Sequence, residues 1–251
     1  MTWPFENDTS AVVKRLSNRN VAANRKRNIF TILTIALATA LLSAIMLYGF
    51  GVPQETKNLN KNTAQIVFHA ISEQQGQELY NQEEIAWVGE FSNAFSEQIN
   101  HSTVNFTYAN ADMLKSQNMS YSGDLPTAED EILVQESFLD SLGYSNELGQ
   151  TIKIPFSDGT TRDFKLTGIL KMKTGDIGLY TAIISKELVE QQYGNNIMMD
   201  YYIGLKDAQN MSEEEATSYA NTLAQQLEIS DDNVIVRSTY FNLKSENRGS
   251  D

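Results

Sequence analysis

From Ile29 to Val52 the chain reads IFTILTIALATALLSAIMLYGFGV, twenty-four residues without one charged side chain. As a helix rising 1.5 Å per residue, this run would be about 36 Å long, enough to cross a hydrocarbon core of about 30 Å with some tilt. Gly49, Gly51 and Pro53 supply a stop at its far end. The competing reading of an apolar run near an N-terminus is a cleaved signal peptide. Three features disfavour it: the long basic stretch in front, a run longer than the usual roughly 7–15 residues, and an A-x-A triplet, Ala38-Thr39-Ala40, that falls in mid-run. The sequence predicts a retained transmembrane helix over 29–52.

Charge divides at this run. Residues 1–28 carry six basic side chains (Lys14, Arg15, Arg19, Arg25, Lys26, Arg27) and two acidic ones (Glu6, Asp8), a net charge of +4. Residues 55–251 carry 13 basic and 30 acidic side chains, a net charge of -17. The chain's overall net charge of -13 and mean hydropathy of -0.35 conceal this division. By the Lys/Arg bias the N-terminus is expected in the cytoplasm and the acidic body outside the cell membrane. An acidic body repels phosphate backbones, so no nucleic-acid partner is expected. Without cysteine there is no disulfide, thiolate nucleophile or Cys-based metal site. Two histidines, His69 and His101, are too few for a His-rich one.

Within the apolar run, Ala36, Ala40 and Ala44 recur every four residues, with Thr39 and Ser43 beside them. Small residues at this spacing let a second helix approach closely in lipid. They are equally what an Ala-rich apolar helix contains by composition. Ahead of the run, Thr9 or Ser10 could cap a short helix from about Ala11, with Val12, Val13, Leu16 and Val21 near one side. Its basic residues would reach lipid headgroups. The segment reads either as an interfacial elbow helix or as a solvated positive flank.

After a polar stalk, QETKNLNKNT at 54–63, strand-like and helix-like pieces alternate. Strand composition marks Ala64–Ala70, Ile85–Phe91, Val104–Ala109, Glu131–Val134, Tyr180–Ile184, Met198–Leu205 and Val234–Phe241. Helices are expected at Ser72–Tyr80, Ala111–Gln117, Glu136–Leu142, Lys186–Tyr193 and Ser212–Leu227, the last with a Ser212/Glu215 capping box. Gly123–Pro126 reads as a turn. Strands at Gln150–Pro155 and Arg162–Leu170, joined by Ser157-Asp158-Gly159-Thr160, form a β-rich insert over about 145–180. The fold class is α+β: one N-terminal transmembrane helix, then a mixed α/β extracytoplasmic domain over 54–244, then a polar tail at 245–251.

Four stretches resemble the N-terminal part of the MacB/FtsX-like ABC transporter permeases. Asn24–Asn28 running into Ile29–Leu33 is similar to that family's first membrane helix. Asp130-Glu131-Ile132-Leu133-Val134 followed by Leu142-Gly143 resembles the middle of its extracytoplasmic core domain. Leu148-Gly149-Gln150-Thr151-Ile152 and Phe164-Lys165-Leu166-Thr167-Gly168-Ile169-Leu170 resemble that domain's "lGdti…fkvvGil" pattern. The resemblance implies a permease subunit that transmits ATP-driven motion for export or extraction of peptide, antibiotic or lipid-linked substrates. Its partners would be the membrane, a separate ABC ATPase subunit, and the remaining permease helices or a second permease copy. Family members continue into three more membrane helices and an ATPase-engaging loop. A sequence stopping at Asp251 is therefore expected to be a fragment, a split gene product or a truncated form.

No G-x-x-x-x-G-K-[ST], G-x-S-x-G or H-E-x-x-H pattern occurs. His69 sits in an apolar strand run, where an edge histidine is the expected role, and His101 lies in a polar loop. Glu213-Glu214-Glu215 suits a helix N-terminus, and Glu129-Asp130-Glu131 suits a solvated turn. No catalytic residue, metal ligand or cofactor is expected. The alternative function is a free-standing membrane-anchored binding or sensor module.

Overall fold

The computed structural model describes residues 13–19, 25–46, 62–171, 179–194 and 197–241. The chain forms two compact units, Met1–Lys57 and Asn58–Asp251. The first holds a short helix at 13–19 and helix α1 (Arg25–Met46). Between Ile29 and Met46, α1 has a mean hydropathy of 2.3 and none of it is buried. It contains neither Gly nor Pro, and its threonines are satisfied internally: Thr31 Oγ1 donates to Arg27 O (2.9 Å), and Thr34 Oγ1 to Phe30 O (2.8 Å). Such back-bonding lets hydroxyls sit in an apolar helix without an unpaired donor. The expected cap at Thr9 or Ser10, the stop at Gly49, Gly51 and Pro53, most of the stalk, and the tail lie outside the described residues.

The second unit is one ten-stranded sheet with helices. Its elements are β1 (Ile66–Ser72), α2 (Glu73–Leu79), β2 (Ile85–Ile99), β3 (Ser102–Ala109), α3 (Ala111–Ser116), β4 (Ser120–Gly123), β5 (Glu131–Gln135) and α4 (Glu136–Leu142). There follow β6 (Thr151–Pro155), β7 (Thr161–Lys171), β8 (Leu179–Ile184), α5 (Lys186–Tyr193), β9 (Met198–Leu205), α6 (Glu213–Gln226) and β10 (Val234–Val236). The strand order is β10-β1-β9-β2-β3-β8-β5-β7-β4, with β6 also paired to β7. Among the described residues only β3/β8 and β5/β7 run parallel. The stretch read as a β-rich insert thus supplies β6 and β7 to the common sheet.

Helix starts follow the caps in the sequence. Ser72 with Gln75 and Ser212 with Glu215 form capping boxes, and Ser185 and Asn110 cap α5 and α3. Strand alternation sorts the apolar residues onto two faces. On one, Phe68, Phe106, Ile132, Val134, Ile184, Tyr201 and Ile203 pack with residues of α2, α4, α5 and α6. On the other, Ala109, Leu133, Leu170 and Ile183 pack with Met113 and Leu114 of α3. Helix α2 comes so close to the sheet that a Cβ on Gly76 would lie 1.9 Å from the Tyr201 ring.

Hairpin β2–β3 is the spine. Its lower half, Ile85–Phe91, pairs with β9, and the other end of β3, Thr103–Thr107, pairs with β8. Two residues close it, Asn100 (φ 49°) and His101 (φ 66°), the sign pattern of a type I′ turn. The polar half of β2 beyond Phe91, not apparent in the sequence, is held by cross-strand pairs such as Ser96 Oγ to Asn105 Oδ1 (2.7 Å). The sheet then curls, and Phe156 beyond β6 packs on the stacked Phe95 and Phe106. Glu97 Oε2 accepts both the N–H (3.1 Å) and the hydroxyl (2.6 Å) of Ser157.

The last strand is shorter than the sequence pattern suggests. Expected over Val234–Phe241, it ends at Val236, and 238–241 form a helical turn. Tyr240 and Phe241, whose apolar character suggested a strand, are buried edge to face, 5.1 Å between ring centroids. At this end the chain enters and leaves side by side, with Ile66 paired antiparallel to Val236. Gln65, 2% exposed, joins three segments: its N–H donates to Ile203 O (2.8 Å), its O accepts Arg237 N–H (2.9 Å), and its Oε1 accepts Leu205 N–H (2.8 Å). Gln65→Leu keeps the volume but removes the side-chain acceptor from a buried N–H, a loss of about 1–3 kcal/mol. Denaturant unfolding of the variant should show that loss, and unchanged stability would contradict this role.

Candidate functional site

Each small residue singled out in the apolar run lies exposed on α1: Ala36, Ala40 and Ala44, with Thr39 and Ser43 beside them. The Thr39 hydroxyl donates to Ile35 O (2.9 Å) and approaches Ala36 O (3.0 Å), so its proton is used within the helix. At Thr39 a groove here therefore offers an acceptor rather than a donor. Lys14, Arg15 and Arg19 are exposed on helix 13–19, and Arg25, Lys26 and Arg27 occupy the first turn of α1. No lysine or arginine occurs from Asn28 to Met46.

In the outer unit His69 Nδ1 lies 2.6 Å from Asp200 Oδ1, which also accepts Ala70 N–H (2.9 Å). Ala70 has φ 47°, and the β1/β9 register shifts here, so the His69–Asp200 contact braces a bulge. His101 is half of the hairpin turn. Glu215 serves the α6 capping box, and Glu213 accepts the Ser238 hydroxyl (2.6 Å). Among the described residues no group of three or more His, Asp or Glu is placed to hold a metal ion.

Sequence reasoning missed a buried polar cluster on the main core face. Glu90, 6% exposed, accepts the hydroxyls of Tyr80 (2.7 Å) and Tyr108 (2.8 Å). Asn110 Oδ1 accepts Glu90 N–H (3.1 Å), and its Nδ2 donates to Val88 O (2.9 Å). Burial first, and the adjacent Glu90 second, push the Tyr80, Tyr108 and Tyr201 phenols well above their ordinary range. The Tyr201 hydroxyl, closed in beneath Gly76, has no hydrogen-bond partner. The Tyr80 and Tyr108 hydroxyls are protonated donors that fasten the end of α2 and β3 to Glu90 of β2. A lone acid in the apolar run Ile85–Phe91 was the available signal.

The three resemblance stretches that lie in the outer unit converge in space. Leu148 and Gly149, Lys165, Leu166 and Thr167, and Glu131 line one open cleft of about 760 Å³ together with Tyr121, Asp124 and Leu125. Glu131 organises its wall by accepting Thr127 N–H (3.0 Å), Ala128 N–H (3.3 Å) and Lys165 Nζ (3.0 Å). The glycine of the second motif is required by close approach: a Cβ on Gly168 would meet Asp124 O at 2.9 Å and Leu133 Cδ1 at 2.8 Å. The motif therefore encodes the joint between β7, β4 and β5.

The family model of the MacB-like periplasmic core domain matches residues 29–219. The chain belongs to this family. It is a domain of ABC transporter permeases, and the match takes in α1 as well as most of the outer sheet. Among solved structures, the extracellular domain of the noncanonic ABC-type transporter YknZ from Gram-positive bacteria is similar at TM-score 0.51. It is 11% identical over 70% of this chain and 100% of that one, a likeness of fold. The periplasmic region of MacB from Actinobacillus actinomycetemcomitans is 12% identical over 74% of this chain and 92% of that one, at TM-score 0.49. No curated protein sequence matches the chain.

The Glu131 wall predicts an acid response. The backbone N–H of Thr127, then Lys165, lowers the Glu131 carboxyl from 4.5 to about 2. A depressed folded-state pKa contributes stability that is present above the unfolded value and lost as pH falls towards the folded one. Thermal midpoints measured between pH 4.5 and about 2 should fall more steeply for the parent chain than for Glu131→Gln. Parallel curves would contradict the assignment.

Proposed function

We propose that this chain is the first membrane helix and outer domain of an ABC transporter permease, carrying ATP-driven motion across the membrane. The observation that carries the reading is the family match over 29–219, which spans the apolar helix and the sheet together. Strand geometry supports it. β1 and β10 run antiparallel with Ile66 beside Val236, so the chain enters and leaves the outer sheet at one end, as a domain mounted between two membrane-linked segments requires. In this reading the +4 head is cytoplasmic and the acidic body extracytoplasmic. ATP hydrolysis belongs to a separate subunit, and the cargo is a peptide, an antibiotic or a lipid-linked molecule. The second reading, an anchored binding module without an ATPase, shares the architecture but makes no use of a paired incoming and outgoing strand.

The two differ in what accompanies the chain in its own membrane. Purified from native membranes in mild detergent, a permease subunit brings a P-loop ATPase and further membrane helices. In lipid, helix association depends on close packing, so bulk at the centre of the Ala36/Ala40/Ala44 face should weaken it. Ala40→Leu is expected to reduce recovery of the partners severalfold while leaving membrane insertion intact, and Leu41→Ala to have little effect. Recovery of the chain without an ATPase would favour the anchored module. Equal recovery with both variants would make Ala40 ordinary filler.

A further inference from the structure

Residues 13–19, Val-Lys-Arg-Leu-Ser-Asn-Arg, form a helix with every side chain exposed. At about 100° per residue, Val13, Leu16 and Ser17 share one arc roughly 100° wide. Lys14 and Arg19 flank that arc on its two sides, and Arg15 and Asn18 stand opposite it. Val13 is 63% and Leu16 62% exposed, so the apolar arc is open. Six peptide units separate Arg19 from Arg25, where α1 starts, a reach of at most about 20 Å. The helix is thus tethered close to the end of a membrane-crossing segment. From Thr9 to Gln54 the chain has six basic side chains and no acidic one, so no carboxylate of this stretch neutralises them.

We propose that helix 13–19 lies in the membrane–water interface and binds anionic phospholipid. Val13 and Leu16 enter the acyl boundary, and Lys14 and Arg19, level with the edges of the arc, meet the lipid phosphates. Arg15 adds its charge from the outer side. Apolar area and attraction to anionic lipid together set the strength of such binding. Continuity with α1 selects a lipid surface over a protein partner, because the tether holds the open arc beside the bilayer. The inference needs α1 to be seated in a bilayer but does not depend on the transporter reading.

The chain has no cysteine, so one introduced thiol carries one label. Ser17→Cys places an environment-sensitive fluorophore on the apolar arc, and Asn18→Cys places it opposite. Neither removes an apolar or basic residue. The full-length chain is incorporated into nanodiscs of phosphatidylcholine alone or with one-third phosphatidylglycerol, and incorporation itself reports the seating of α1. With phosphatidylglycerol, the label at 17 should be blue-shifted and protected from acrylamide, and the label at 18 quenched as in water. Each basic side chain near an anionic surface gives about a fivefold preference, so the triple change Lys14→Gln, Arg15→Gln, Arg19→Gln should shift seating about a hundredfold. Equal quenching at 17 and 18 in both lipids would overturn the interfacial placement. Protection at 17 that is the same with and without phosphatidylglycerol would overturn the anionic-lipid assignment.

Discussion

Gln65 stands where the chain enters the outer domain, and three of its hydrogen bonds hold β1, β9 and the segment after β10 in register. A buried amide with every contact made is specific in a way that apolar packing is not, because shifting any one strand leaves a donor or acceptor unpaired. Through this residue the first strand becomes an interior strand, with Ile66 and Phe68 fully buried, only once β9 and β10 have arrived from the far end of the sequence. The same bonds put the incoming and outgoing chain side by side. A force applied to either acts on adjacent strands of the sheet.

What such a force would reach is set by hairpin β2–β3. Its lower half pairs with β9, next to β1, and the other end of β3 pairs with β8. A rigid ribbon thus links the end held by Gln65 to the curled region containing the cleft. Three contacts keep that region closed: the Phe95–Phe106–Phe156 cluster, Arg162 placed 4.7 Å over the Phe156 ring, and Glu97 on Ser157. Nearby, Lys186 pairs with Glu73, and the Tyr193 hydroxyl donates to Ala94 O, tying α5 to α2 and to the β2 bulge. The sheet is therefore braced along its length by polar contacts between elements distant in sequence.

Which parts were legible in the sequence follows from where the information lies. Caps are local, so Ser212 with Glu215, and Ser72, announced their helices. The apolar run of α1 is legible because lipid admits so few alternatives. The outer half of β2 was not, since SNAFSEQI has little strand propensity and is held by partners on β3. Tyr240 and Phe241 misled because burial in a helical turn and burial in a strand draw on the same residue types. Gln65 and Glu90 were missed for a third reason: each is a polar residue in an apolar run, and its value depends on groups 10 to 140 positions away. The resemblance motifs did mark a place, yet their glycine encodes the strand joint at Asp124 and Leu133, not a chemical centre.

The central claim is that the acidic sheet domain stands outside the membrane and is mounted on it by α1. A cysteine-free chain permits a direct test with a membrane-impermeant maleimide on intact cells. Asn93 is exposed on the outer sheet and Arg15 on helix 13–19. The account predicts that Asn93→Cys is labelled from outside, and that Arg15→Cys is labelled only once the membrane is permeabilised. Labelling of Asn93→Cys only after permeabilisation would contradict it.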